Sequence, residues 1–165
     1  MGGKLRSMPK IGVLFAPVFD DPGDYLADAR ALETAGVDSI WTFASTSGDI
    51  LLAAIAAVTT RVRLGLLVET ESEAVGLASR VETLQRLSRS RTAVGTVQHG
   101  LVAVGKPPER WVIAAAPADR AAWQKTLTIH ASAVGVIVPQ GPRLLDILRR
   151  PQEEDDRMDL LLSQG

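Results

Sequence analysis

Residues 11–43, IGVLFAPVFDDPGDYLADARALETAGVDSIWTF, read as one complete strand–helix–strand unit. The opening run, Ile11 to Pro17, is almost continuously apolar, the pattern of a strand buried on both faces in a parallel sheet. Asp20, Asp21 and Pro22 then signal a helix start. An aspartate accepts from the orphan amides of a first turn, and proline is tolerated there. Leu26, Ala29, Leu32 and Ala35 recur at helical spacing, and Gly36 stands where a left-handed residue ends a helix. Ser39 to Phe43 is the returning strand.

The same alternation continues on the C-terminal side. Residues 45–60, STSGDILLAAIAAVTT, predict a buried helix with Ser47 as its cap and Asp49 in a first turn whose dipole favours it. A strand over Val62 to Glu69 follows. Next come a helix from Ser72 to Leu87, with Leu77, Val81, Leu84 and Leu87 on one face, and a strand from Thr92 to Val97. Gly100, Gly105, Pro107 and Pro108 argue for a loop over residues 98–110, within which Leu101 to Val104 is able to pair as a short strand. Trp111 to Ala116 and Val134 to Pro139 read as strands around a helix from Asp119 to Ala133. Gly141 and Pro142 open a last helix that runs to Leu148 or Arg149, before Pro151 breaks it. Strand–helix repetition selects an α/β fold with right-handed crossovers. Residues 1–10 read as a flexible lead-in and residues 11–165 as a single domain.

Composition narrows the function classes. With 165 residues, 46% hydrophobic and 22% charged, the chain has the make-up of an ordinary globular domain. Only 4% of residues are aromatic, so small aliphatic side chains carry most of the packing. A formal net charge of -1 gives no field to draw nucleic acid or an anionic membrane surface. The absence of cysteine excludes disulfides, thiolate metal sites and cysteine nucleophiles. No uninterrupted apolar run approaches the roughly 18 residues of a membrane span, and the N-terminal apolar run is too short for a signal peptide. The expected location is cytoplasmic, with no nucleic-acid or membrane partner.

Three ordered runs, ALETAGVDSIW (31–41), LLAAIAAVTTRVRLGLLVE (51–69) and SRVETLQRLSRSRTAVGTV (79–97), resemble successive units of the bacterial luciferase-like monooxygenases. Residues 110–148 are compatible with the later units. The resemblance implies a (β/α) barrel of the TIM type with mainly parallel strands, here shortened or incomplete, since a full one takes about 200 to 250 residues. It implies FMN or the deazaflavin coenzyme F-420 at the carboxyl ends of the strands, with oxidoreductase or monooxygenase chemistry. Family enzymes often place an acid and a His after the second strand, where this chain has Phe43, Ala44, Ser45 and Thr46. Glu69, Thr70, Glu71 and Ser72 follow the third strand, an acidic stretch that repels a phosphate. The alternative is therefore a non-catalytic flavoprotein, or an interaction or structural subunit with no cofactor. An incomplete barrel exposes strand edges, so a homodimer is expected to cover them.

The candidate ligand-facing residues are Phe15 and Trp41 on the first two strands, Val68 on the third, and Gly95, Thr96, Gln98 and His99 around the end of the fourth. Gly141 and Arg143 open the last helix, where free amides and a cation suit an anionic group. Each also has a plainer reading: core filling for the two aromatics, a surface turn around His99, and an ordinary helix start at Gly141. No phosphate-loop, zinc or Ser–His–Asp pattern occurs, and no catalytic residue can be named. Glu69, Glu71 and Glu73 are candidates for acid–base or cation work, against a solvated loop. Glu153 to Asp156 read as a solvated run, with Leu160, Leu161 and Leu162 in need of burial.

Overall fold

The computed structural model describes residues 8–149. In chain order the elements are β1 (Lys10–Leu14), α1 (Pro22–Thr34), β2 (Ser39–Phe43), α2 (Thr46–Val58), β3 (Arg63–Val68), α3 (Glu71–Gly76), α4 (Ala78–Leu87), β4 (Thr92–Gln98), β5 (Leu101–Val104), β6 (Glu109–Ile113), α5 (Arg120–Ile129), β7 (Gly135–Pro139) and α6 (Leu144–Leu148). The seven strands pair in sequence order, and β7 returns to β1 to close a barrel. β1–β2, β2–β3, β3–β4, β6–β7 and β7–β1 run parallel, whereas β4–β5 and β5–β6 are antiparallel.

This topology corrects the expected shortened TIM-type barrel. The sheet is mixed and closed, with seven strands. A parallel crossover needs a dozen or more residues, usually a helix, whereas antiparallel strands need only a tight turn. The chain makes that saving between β4 and β6. His99 and Gly100 turn with φ of 51° and 77°, the left-handed pair whose twist suits a two-residue hairpin. Gln98 then faces Leu101, and β5 runs back down the wall. Closure also removes the exposed edges on which the expectation of an edge-covering dimer rested.

Helix ends follow local chemistry. The Asp21 carboxylate accepts from the Asp24 amide at 2.9 Å, with Pro22 in the first turn of α1. Ser45, two residues before the expected Ser47, caps α2 by accepting from the Gly48 amide at 2.9 Å. Thr70 caps α3 from the Glu73 amide, and the Glu73 carboxylate reaches back to the Glu69 amide at 3.0 Å. This is a variant of the capping box in which the return bond falls one residue before the cap, and it gives one of the three alternating glutamates a structural role. The single helix expected over residues 72–87 is broken at Leu77 into α3 and α4.

Two apolar layers form. The outer one lies between barrel wall and helices and includes Val13, Ile40, Leu64, Leu66 and Val136 from the strands with Leu32, Leu52, Ile55 and Trp123 from the helices. The inner one fills the barrel with Trp41, Leu67, Ala93, Val102, Val104, Trp111 and Ile137. Strand alternation sends neighbouring residues to opposite layers.

At the amino end of the barrel, Glu33 ties α1 to the start of β3. Its carboxylate accepts from the amides of Thr60, Arg61 and Val62 at 2.6–2.9 Å. Burial acts to raise its pKa, but the three amide bonds and the Arg61 charge outweigh it, and the net shift is downward. A carboxylate whose folded pKa is depressed stabilises fully above its unfolded value of about 4.3 and loses that contribution as pH falls through the folded value. Glu33→Gln is therefore expected to cost about 1–2 kcal/mol at neutral pH. The deficit should shrink below about pH 4, which urea titrations at several pH values will measure.

Candidate functional site

The mouth at the carboxyl ends of the parallel strands is built by strand alternation. Gly12, Trp41, Gly65, Gly95 and Trp111 face the interior. The residues two further along each strand, Leu14, Phe43, Leu67, Val97 and Ile113, line the mouth, joined by Pro139 of β7. Phe43 is the exception to a buried strand: the four preceding residues of β2 are buried, whereas Phe43 is 45% exposed. Around this ring stand the loop after β1, with Val18 81% and Phe19 42% exposed, and the loop after β7, with Arg143 exposed.

The floor is closed by the two tryptophans. Trp41 and Trp111 meet edge-on, with ring centroids 5.6 Å apart. Both lie against glycines. A Cβ at Gly65 would overlap the Trp41 ring, and one at Gly135 would overlap the Trp111 ring. Both indole N–H groups turn to the amino end of the barrel. Trp41 donates to Ser39 Oγ at 2.7 Å, and Trp111 to Glu109 Oε2 at 3.4 Å. Arg63 bonds the same Glu109 oxygen at 3.1 Å. Burial acts to raise the Glu109 pKa, but the Trp111 and Arg63 bonds and the nearby Lys10 and Arg63 charges bring it down overall. The amino end is thus plugged by polar groups that satisfy one another.

The sequence-predicted ligand residues disperse. Trp41 is fully buried in the interior. Gly95 lies inside as well, where a Cβ would sit 2.5 Å from Val102 and 3.2 Å from Trp41, so its small size serves packing. Phe15 is in the outer layer, its ring 5.1 Å from that of Tyr25 in an edge arrangement. Val68 is buried in that same layer, and Thr96 is half-buried on the outer side of β4. Gln98, His99, Gly141 and Arg143 lie at the mouth end of the barrel but on separate turns, after β4 and after β7, with Gln98 on the outer side of its strand. α6, however, is only five residues long, and the amides of Leu144 and Ile147 are spent on Gly141 and Arg143 carbonyls. The acidic run 153–156 and Leu160 to Leu162 lie outside the described residues.

Phe43 was read only as the place where a family polar residue is missing. Its apolar exposure at the end of a buried strand was a signal in its own right. The Glu109–Arg63 pair, 46 residues apart in the chain, left no local signal.

An isoalloxazine ring does not fit the barrel interior, because the tryptophans occupy it and the glycine hollows hold their rings. A planar ligand would reach only the outer surface of the mouth. At the amino end, a cleft of 280 Å³ lies beside Glu33, Asp38 and Arg61. Its carboxylates are already engaged: Glu33 by the three amides and Asp38 by the Ile11 amide at 2.7 Å. Among the described residues no group of three His, Cys, Asp or Glu side chains could hold a metal ion, and no helix is long and apolar enough to cross a membrane.

Fold and site together define a small closed barrel of mixed sheet, sealed by tryptophans, with an apolar mouth. No family model matches the chain, and no curated protein matches it.

Proposed function

We propose that this chain is a non-catalytic interaction subunit that pairs with a second copy of itself through the apolar rim. The observation that carries this reading is the grouping of exposed Val18, Phe19 and Phe43 at one end of a barrel whose interior is already full. Apolar side chains around a filled mouth have no small-molecule cavity to serve, and an exposed apolar patch marks an interaction surface. The rim also carries exposed Asp20 and Asp21 opposite in sign to Arg143, so a twofold pairing can match charge as well as apolar area. Oxidoreductase chemistry would need an acid or base against a bound ring. The six side chains lining the mouth are apolar, which favours binding without catalysis.

Light scattering across a dilution series tests this. A mass that moves from dimer to monomer on dilution is expected, with Val18→Ser/Phe43→Ser monomeric throughout and its thermal unfolding little changed; Phe19 is left in place because its ring packs on Tyr25 at 4.8 Å. A parent protein that is monomeric at every concentration overturns the proposal. The exposed Phe43 ring favours one second reading, a planar flavin or deazaflavin stacked over the mouth. Addition of FMN, then of coenzyme F-420, each followed by dialysis, decides it. Stoichiometric retained colour that Phe43→Ser abolishes would support that reading, and colour lost on dialysis would end it.

A further inference from the structure

The barrel separates its charges by end. At the mouth, Asp20, Asp21, Asp24, Glu69, Glu71 and Glu73 are exposed. At the amino end, where the parallel strands begin, the exposed charged side chains include Lys10, Arg61, Arg89, Lys106 and Arg110. None of these cations makes a salt bridge or a side-chain hydrogen bond among the described residues. The acids on the same turns are engaged elsewhere: Glu33 and Asp38 accept from backbone amides, and Glu109 from Arg63 and Trp111. Lys10 and Arg61 act on Glu109 and Glu33 by charge alone, without a direct side-chain bond. The helix dipole accounts for cations that follow helices, such as Arg61 after α2 and Arg89 after α4. Lys10, Lys106 and Arg110 follow no helix.

Aliphatic side chains stand among these cations. Val134 lies between two of them: its carbonyl accepts from the Lys10 amide at 2.9 Å, and its amide donates to the Arg110 carbonyl at 2.8 Å. Leu87 closes α4 two residues before Arg89, and Ile129 closes α5. Met8, Leu87, Ile129 and Val134 are all exposed. We propose that the amino end is a peripheral contact surface for an anionic lipid bilayer. The cations meet the headgroups and the aliphatic side chains enter the headgroup boundary, two signals that together hold a protein to a membrane surface. A nucleic acid would pair the same cations, but its bases stack on aromatic platforms, and no described aromatic ring is exposed at this end. The formal net charge of -1, which by itself argues against an anionic membrane, is a sum that hides the segregation. Contact of this kind needs no membrane-spanning helix.

Co-sedimentation of the full chain with lipid vesicles tests this. Binding is expected to vesicles of equal parts phosphatidylcholine and phosphatidylserine. It should be absent with phosphatidylcholine alone and weakened by added salt. Arg89→Gln/Lys106→Gln/Arg110→Gln should weaken it about 100-fold, at roughly fivefold per cation. Leu87→Ser/Ile129→Ser should weaken it roughly tenfold. These positions are exposed, so thermal midpoints close to the parent's are expected for both variants. No binding to the mixed vesicles, or binding unchanged in the triple variant, overturns the proposal. Binding that DNA displaces and that Leu87→Ser/Ile129→Ser leaves intact would assign the surface to nucleic acid and overturn it as well. The result is independent of the rim pairing, which uses the opposite end of the barrel.

Discussion

Gly65→Ala is expected to destabilise the barrel by about 3 kcal/mol, the upper end of the range for overpacking a core. The added methyl would occupy the place of the Trp41 six-membered ring. The ring has little room to retreat. It is fully buried, its N–H is held by Ser39, Trp111 packs on it edge-on, and Gly95 and Leu67 close the side toward the mouth. Denaturant unfolding measures the effect, with a lower midpoint and an unchanged slope. Trp41→Leu leaves a cavity and should cost about 3 kcal/mol by itself. In that background the same Gly65→Ala change should cost much less, giving a coupling of 1 kcal/mol or more, about what residues in contact show. Strict additivity of the two changes would mean that the glycine does not hold the ring.

The second large effect is expected at Arg91. Its guanidinium donates to the carbonyls of Ser88, Val62, Ala56 and Thr59 and to Thr59 Oγ1, at 2.7–3.1 Å. One side chain thereby serves the end of α2, the entry to β3 and the turn before β4. Arg91→Met withdraws all five bonds and leaves partly buried carbonyls unpaired, at a cost of roughly 3 kcal/mol. Arg91→Lys should recover little, because an ammonium cannot span the positions reached by a planar fork. Stability measurements on both variants, with amide exchange in the last turn of α2, check this. A loss under about 0.5 kcal/mol for Arg91→Met would show that water replaces the guanidinium.

Local chemistry was legible where local chemistry acts. Ser39–Phe43 and Leu101–Val104 form strands with the expected bounds, and Asp21, Pro22 and Gly36 bracket α1 as read. The Thr70 cap and the Glu73 carboxylate that turns back to the Glu69 amide were also present in the sequence as Thr-x-x-Glu, although those glutamates were weighed for chemistry instead. The misreading of the sheet arose in residues 98–110. Glycine and proline there mark turns, and a turn residue does not say whether the next strand returns beside its neighbour or the chain leaves for a crossover helix. The resemblance supplied crossovers, and the His99–Gly100 hairpin supplied a direct return.

The candidate site fared differently, because side-chain direction at a strand end depends on which face becomes the interior. Phe15 and Trp41 are both aromatics on apolar strands. One lies outside the wall and the other inside it, a distinction set by register across β1, β2 and β7. The sequence by itself determined the order of strands and helices, the Asp21 cap and the lack of any thiol, since each depends on residues within a few positions of one another. Only the tertiary structure decided that seven strands close, that two tryptophans rest against glycines from other strands, and that Phe43 faces the mouth. Those outcomes depend on which distant backbones come within packing distance, and no short-range periodicity encodes that.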